Sequence, residues 1–466
     1  MIFSTLLFIF IFFIIVLGLY YMIPNRTYRN AVLFVSSIVF YSWGEPKYVF
    51  LMLFSIAMNY VFGGLIEKYR GHKKRCKVFL AISVVLNLLM LGIFKYTGFA
   101  LTTLKSIFPF MQNVKIPEIV LPIGISFYTF QAMSYVIDVY RGDATAHKNP
   151  LYFATYVALF PQLIAGPIVR YKDVEDSLFV RHENIDQFSA GIKLFAVGLA
   201  KKVLIANQMA ILWDALRVTA ATNGVLGSWI GVIAYGFQLY FDFCGYSEMA
   251  IGLGRMFGFE FLKNFDYPFI SKNVTEFWRR WHISLGTWFR EYVYFPLGGN
   301  KKGLPRQLLN IVIVWLLTGL WHGAAWNYVL WGAYFALWLC IEKLFLLKWV
   351  KKMPNWLQHI YALLHMNMCW VLFYFNDIRE LGAYIASMFS GTCIISHDAL
   401  VYTVSFLPML IIAIVASTPL VKKLYDKFEG HNWRNWLDIG LVMATLYLCT
   451  SSLVAGGYNP FIYTKF

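Results

Sequence analysis

Long apolar stretches separated by short polar loops run through the whole chain. The first covers about residues 2–22 and ends at the turn Pro24-Asn25-Arg26-Thr27-Tyr28-Arg29. Others cover about 31–43, 48–66, 78–94, 119–138, 188–208 and 226–244. They resume at about 308–330, 331–347, 357–376, 400–418 and 436–456. Most approach the ~20 apolar residues a helix needs to cross the hydrocarbon core. Backbone polar groups inside lipid must pair within their own segment, so each run is predicted to be a helix. Two stretches break the pattern. Residues 96–118 contain Pro109 and Pro117 and are expected along the outer surface. Residues 151–168 contain Pro161, Gly166 and Pro167 between basic ends, which predicts a re-entrant segment covered by protein. The whole pattern predicts an all-α, polytopic integral membrane protein. It has roughly 11–13 spanning or re-entrant helices in a single membrane domain over residues 1–466.

Charge orients these segments. Lys68, Arg70, Lys73, Lys74, Arg75 and Lys77 face one acid, Glu67, so the positive-inside rule places this loop in the cytoplasm. Counting crossings from there puts Arg26 and Arg29 inside, Met1 outside, and the C-terminal tail 457–466 outside. Residues 255–307, the longest stretch between spans, combine Lys272, Arg279, Arg280, Arg290, Lys301, Lys302 and Arg306 with many aromatics. Amphipathic helices at the cytoplasmic interface are expected there. Composition agrees with a membrane protein: 59% of residues are hydrophobic and 14% charged, against about 25% charged in soluble domains. The net charge of +16 is therefore read as loop charge, not as a nucleic-acid surface. The N-terminus lacks a basic leader and a small-residue cleavage site and reads as a retained span. The six cysteines follow no Cys-x-x-Cys or Cys/His spacing, so neither a metal site nor a disulfide framework is expected.

The stretch Leu317-Thr318-Gly319-Leu320-Trp321-His322-Gly323-Ala324-Ala325-Trp326 puts a histidine inside the 308–330 run. Hydrocarbon cannot solvate its ring nitrogens, so His322 is expected to face protein or a water-filled cavity. Gly319 and Gly323 flank it and admit a close neighbour. Burial favours the neutral ring, the form that takes a proton. A histidine that merely bonds a neighbouring helix fits the same pattern. A second histidine, His282, follows Arg279 and Arg280 in Phe277-Trp278-Arg279-Arg280-Trp281-His282-Ile283-Ser284-Leu285. Paired arginines between Trp278 and Trp281 suit a phosphate or carboxylate. They equally suit an interfacial helix whose arginines reach for water. Gln131, Asp138, Gln162, Gln238, Asp242, Ser247, Glu248 and Asn327 are polar in apolar surroundings. They are candidates to line a tunnel, or interhelical hydrogen-bond partners worth about 0.6 kcal/mol each. His72, His147, His182, His359, His365, His397 and His431 are placed near helix ends or in loops.

These motifs are recognisable together. RRWHISLGTWFREYVYFPLGGN at 279–300 precedes the buried Trp-His-Gly. Beside it stand FYSWGEPKY at 40–48, LPIGISFYTFQAMSYVIDVYRG at 121–142 and FPQLIAGPI at 160–168. GLAKKVLIAN at 198–207 and QLYFDFCGYSEMAIG at 238–252 complete the set. The chain resembles the membrane-bound O-acyltransferase family, in the bacterial branch of alginate and peptidoglycan O-acetylation and teichoic acid D-alanylation. The resemblance implies a multi-pass protein of the bacterial plasma membrane. It also implies an acyl group, acetyl by the length and the WGEPKY segment, taken from a cytoplasmic thioester. The donor would be acetyl-CoA or an acyl carrier thioester, with no bound cofactor. By the same resemblance His322 is the essential buried histidine, the general base. His282 would donate a hydrogen bond to the thioester carbonyl or position the donor. Trp278, Arg279, Arg280, Trp281 and Asn327 would bind that donor.

The chain ends Asn459-Pro460-Phe461-Ile462-Tyr463-Thr464-Lys465-Phe466. This is similar to the short aromatic tails, with a central tyrosine, of the family's acyl-relay components. The likeness implies that Tyr463 carries the acyl group as a phenolic ester to an extracytoplasmic esterase-like partner of the SGNH type, which serves a polysaccharide. An aromatic interfacial anchor has the same appearance. Two other classes compete: acyl transfer to a teichoic acid, lipid or protein hydroxyl, and a transporter without a covalent step. The lack of an internal repeat weighs against the transporter. Membrane lipid is an expected partner and nucleic acid is not.

Overall fold

The computed structural model describes all residues except Ala165, 219–221, 392, 432, 457–458 and 460–466. The described residues are mostly helical, with no β-strand among them, as the hydropathy pattern predicts. Seven of the helices are long and apolar enough to cross a membrane, and a shorter apolar helix occupies Phe8–Met22. By contact the chain divides into two compact units.

The first unit comprises Met1–Ile192 with Ala250–Leu262. It contains α1 (Phe8–Met22), α2 (Arg26–Ser42), α3 (Val49–Lys68) and α4 (Lys73–Ile107). It continues with α5 (Ile125–Arg141), α6 (Pro150–Ala158), α7 (Phe160–Leu163) and α8 (Tyr171–Phe179). Asn25 caps α2, its side chain accepting from the Tyr28 amide at 3.0 Å. Helix α4 outruns its expectation: it continues through a π-turn at Gly92–Tyr96 to Ile107. Pro109 is the first residue past it that lacks an amide to extend the helix. The broken segment expected at 151–168 is broken, with Leu159 (ψ 110°) separating α6 from α7. Asn59 and Asn87 join α3 to α4 by reciprocal amide bonds of 2.8 and 3.1 Å. Glu183 ties α1 to α2: it meets Arg26 at 2.8 Å, Arg29 at 2.8 Å and the Tyr20 hydroxyl at 2.5 Å. Burial alone would raise its carboxyl, but the bonds from Arg26 and Tyr20 outweigh that and hold it down at about 2.

The second unit comprises Lys193–Met249 with Lys263–Phe466. Two long segments begin it. Helix α9 (Ile185–Ala200), which belongs to this unit from Lys193 on, passes through a π-turn at Lys201–Ala206 into α10 (Asn207–Val218). It crosses α11 (Gly224–Met256) where a methyl on Gly198 would lie 2.4 Å from the Gly245 carbonyl oxygen. Two ion pairs flank that crossing, Lys201–Glu248 at 2.6 Å and the buried Lys202–Asp242 at 2.7 Å. Asp242 and Glu248 are therefore interhelical partners. Next come α12 (Val274–Arg280), α13 (Ile283–Phe289), α14 (Leu304–His322) and α15 (Trp326–Val350). The unit ends with α16 (Asn355–Tyr374), α17 (Ile378–Phe389), α18 (His397–Ala416) and α19 (Arg434–Val454).

Three expectations shift here. The 308–330 run is not one span: α14 stops at His322 and α15 starts at Trp326. The break hides in hydropathy because Gly323, Ala324 and Ala325 are themselves small and nonpolar. Within 255–307 the helices are short, and Phe277, Trp281, Leu285, Trp288 and Phe289 are buried in protein rather than laid on a surface. Their spacing would suit one apolar stripe, but the left-handed His282 breaks the segment between α12 and α13, so no continuous amphipathic helix forms. His365 sits in the middle of α16, packed at a tilt against Trp338 at 4.1 Å with the Tyr334 hydroxyl 2.7 Å from Nδ1.

Candidate active site

The turn between α14 and α15 is built by close packing. A methyl on Gly319 would lie 2.3 Å from the Tyr328 carbonyl oxygen, and one on Gly323 would lie 2.1 Å from the Tyr328 ring. The two helices thus meet almost backbone to backbone, as the glycine spacing predicts. His322 is the last residue of α14 and is 4% exposed. Trp321, Trp331 and Phe373 surround it edge-on with centroids at 5.1, 5.0 and 5.4 Å.

His282 reaches the same place by a different route. It separates α12 from α13 and takes the left-handed conformation, φ 48° and ψ 52°. Such a backbone is costly for a side chain with a Cβ and persists only where its surroundings enforce it. Asn264 enforces it. Its carbonyl accepts from the Ile283 amide at 2.9 Å, and its side-chain oxygen accepts from the Ser284 amide at 3.2 Å and hydroxyl at 2.9 Å. The His282 ring is 2% exposed and packs edge-on to Phe243 at 4.6 Å. Its centroid lies 6.4 Å from that of His322.

The same oxygen of Asn264 lies 3.2 Å from His282 Nδ1. A backbone N–H can only donate, so the Asn264 atom that meets Ser284 is the acceptor oxygen. Nδ1 must then carry the hydrogen that completes the bond. In the neutral ring this leaves a lone pair on Nε2. That atom is buried and has no hydrogen-bond partner among the described residues. Burial, and secondarily the neighbouring His322, push the His282 ring well below the ordinary histidine range, which favours this neutral form.

His282 lines a cavity of about 200 Å³ together with Trp278, Trp281, Leu285, Trp315 and Thr318. An apolar cavity of about 150 Å³ already holds benzene, so an acetyl-sized group fits. Thr318 lies one turn before His322 on α14.

The other sequence candidates are distributed unevenly. Trp278 is wedged between Trp315, Trp331 and Phe335 at 4.6, 5.4 and 4.7 Å. Trp281 stacks on Phe277 at 5.5 Å and lies 4.9 Å from Trp370. Arg279 is exposed, whereas Arg280 is taken up by Glu276 at 3.0 Å and Asp266 at 3.2 Å. Asn327 is buried and donates to the Phe373 carbonyl at 3.2 Å, holding the end of α16 beside His322. Tyr463 lies outside the described residues. Sequence reasoning missed Asn264 and Glu342. Asn264 sits in a loop without periodicity, and Glu342 resembles any ordinary charge at the end of a span.

The chain is similar to known proteins along most of its length. The profile of the membrane-bound O-acyltransferase family matches residues 144–381, which include both histidines. The chain is 43% identical to the probable alginate O-acetylase of Pseudomonas aeruginosa over 84% of its own length and 75% of that protein. It is 37% identical to the corresponding Pseudomonas putida protein over the full length of both. It is 32% identical to the peptidoglycan O-acetyltransferase of Helicobacter pylori over 82% of this chain and 78% of that one.

Proposed function

The chain belongs to the membrane-bound O-acyltransferase family, and from that premise we propose that it passes acetyl groups across the bacterial plasma membrane for O-acetylation of an extracytoplasmic polysaccharide. The observation that carries the reading is the pair of buried histidines, 6.4 Å apart, with His282 lining a cavity of acetyl-group size. The donor is a cytoplasmic acyl thioester, acetyl-CoA or an acyl carrier. Trp278 and Trp281 line its acyl end, and the exposed Arg279 meets its phosphate.

His322 acts as general base. It takes the proton of the attacking hydroxyl as that oxygen bonds to the thioester carbon. The carbon–sulfur bond then breaks and the thiol leaves with a proton. Such a base is worth about 10²–10⁴-fold in rate. For His282 the geometry favours positioning over donation. With Nδ1–H engaged by Asn264, a neutral ring offers only an acceptor at Nε2, so it orients a substrate O–H or N–H. Donating to the thioester carbonyl would require a protonated ring, which burial opposes.

The attacking hydroxyl is that of Tyr463. A phenol, pKa about 10, leaves more readily than an alcohol, so the ester stays activated for transfer to an SGNH-type partner outside. Support comes from Asn459, four residues earlier, whose side-chain oxygen accepts from Asn207 at 3.3 Å. Asn207 in turn accepts from the buried Lys202 at 3.0 Å. Asn459 is thereby tied to α10 of the second unit.

The test compares alkali-releasable acetate in secreted polysaccharide, envelope and lipid fractions. Cells would carry the wild-type chain, His322→Ala or Tyr463→Phe at matched protein level. Acetate is expected to fall in one polymer fraction with both variants. Full acetate with Tyr463→Phe overturns the relay. Unchanged acetate in every fraction with His322→Ala overturns the acetyl-transfer reading, and release of D-alanine or another acyl group in its place redirects it.

A further inference from the structure

Glu342 is 1% exposed, and among the described residues no lysine or arginine forms an ion pair with it. A buried carboxylate is tolerated when its lone pairs are satisfied. Here they are, by one small segment and one tyrosine. Oε1 accepts from the Val274 amide at 2.9 Å and from the Tyr361 hydroxyl at 2.9 Å. Oε2 accepts from the Thr275 amide at 2.8 Å and hydroxyl at 2.5 Å. Val274 and Thr275 open α12, whose far end leads through Trp281 into His282.

The placement of Glu342 on α15 gives this clamp its meaning. Trp331, Phe335, Trp338 and Glu342 follow helical spacing and share one stripe. At the start of the stripe Trp331 packs on His322 at 5.0 Å. In its upper part Trp331 and Phe335 hold Trp278 of α12 at 5.4 and 4.7 Å. About 16 Å along the helix from Trp331, Glu342 holds the first residues of α12. Helix α12 therefore rests on α15 at two points, and α15 also bears on His322.

We infer that Glu342 is a positioning residue for acyl transfer: by tying the start of α12 to α15 it sets where His282 stands relative to His322. The inference rests on the proposed site. Close-packed interiors transmit a slip instead of absorbing it. A misplacement of ~1 Å at a reacting centre costs about 10²-fold.

Glu342→Gln keeps the shape and turns one acceptor oxygen into an NH₂ that faces donors. Two readouts are needed. The first is polymer acetate in cells at matched protein level, expected to fall at least about tenfold. The second is modification of the full-length protein in detergent by diethylpyrocarbonate, which reacts with accessible neutral histidine, quantified separately at His282 and His322 by mass spectrometry. Loss of the clamp is expected to raise labelling at His282 at least threefold while His322 changes less than half as much. Equal gains at both histidines would mean general loosening and overturn the inference, as would wild-type acetate. If Glu342→Gln does not accumulate, Thr275→Val is read in the same way with an expected two- to fivefold loss of acetate, and a wild-type level overturns the inference. His282→Ala separates the two claims. If it retains full acetate, the site itself is wrong. If it loses acetate while Glu342→Gln keeps it, only the clamp is wrong.

Discussion

The two histidines stand 6.4 Å apart but are held by opposite means. His322 is fixed by shape: glycines let α14 and α15 close on each other, and aromatic edges fill the space around the ring. His282 is fixed by hydrogen bonds: a strained backbone is pinned by Asn264, and the helix before it is tied down by Glu342. Shape fixes where a ring stands. Polar anchoring chooses the tautomer as well as the position. The proposed reaction, in which one ring takes a proton and the other orients a substrate, is served by having one of each. Breaking either mode of support should therefore have a distinct signature.

The largest effect is expected on the shape side. Gly319→Ala would push a methyl to 2.3 Å from a backbone oxygen that cannot step aside. Acyl transfer should fall by roughly 100-fold or more, with lower thermal stability in detergent. Gly64→Ala, which meets nothing within 4 Å, should leave both unchanged. If Gly319→Ala transfers normally, the close helix contact does not govern the His322 position.

A smaller but more specific effect is expected on the polar side. Asn264→Ala removes the acceptor shared by the His282 ring and by the Ser284 amide and hydroxyl. Turnover should drop about 10–100-fold, as when a group orienting a functional histidine is lost. Asn264→Asp tests the protonation argument by its sign. The wild-type ring sits below the ordinary histidine value, so the form needed for activity persists down to mildly acid pH. A carboxylate in place of the amide stabilises the imidazolium and raises the ring's pKa. The acid limb of the pH–rate profile should then move upward, with activity lost at higher pH than in the wild type. A limb that stays put would mean that His282 does not titrate in the rate-limiting step.

The contrast also explains what was legible in the chain. His322 announced itself because shape-based support leaves local marks: a histidine in an apolar run, with glycines three before and one after it. The helical class was legible for the same reason, since apolar runs report lipid or protein surroundings directly. The break at Gly323 was not, because small apolar residues suit a span and a tight turn equally. Polar support leaves no such mark. Asn264 stands 18 residues before the ring it orients, and Glu342 stands 67 and 68 residues after the amides it holds. Long-range pairings of single polar side chains have no periodicity to read.

Arg279 and Arg280 carry the comparison to its finest scale, since they are adjacent and identical in sequence. Arg280 is already engaged by Glu276 and Asp266, while Arg279 is exposed. Partly exposed pairs such as those of Arg280 contribute about 0.2–1 kcal/mol, so Arg280→Gln should lower the melting temperature slightly and leave the donor KM within about twofold. Arg279→Gln should do the reverse. Loss of one charge-assisted bond to a phosphate, worth about 1.5–3 kcal/mol when well formed and less at an exposed position, should raise the donor KM several-fold without altering stability. The measurement is a pair of KM values for a thioester donor with and without its phosphate groups. If Arg279→Gln weakens both donors equally, the residue does not read phosphate. Arg279, which has no carboxylate partner among the described residues, is then an interfacial anchor, and the donor is held by the aromatic wall of the cavity.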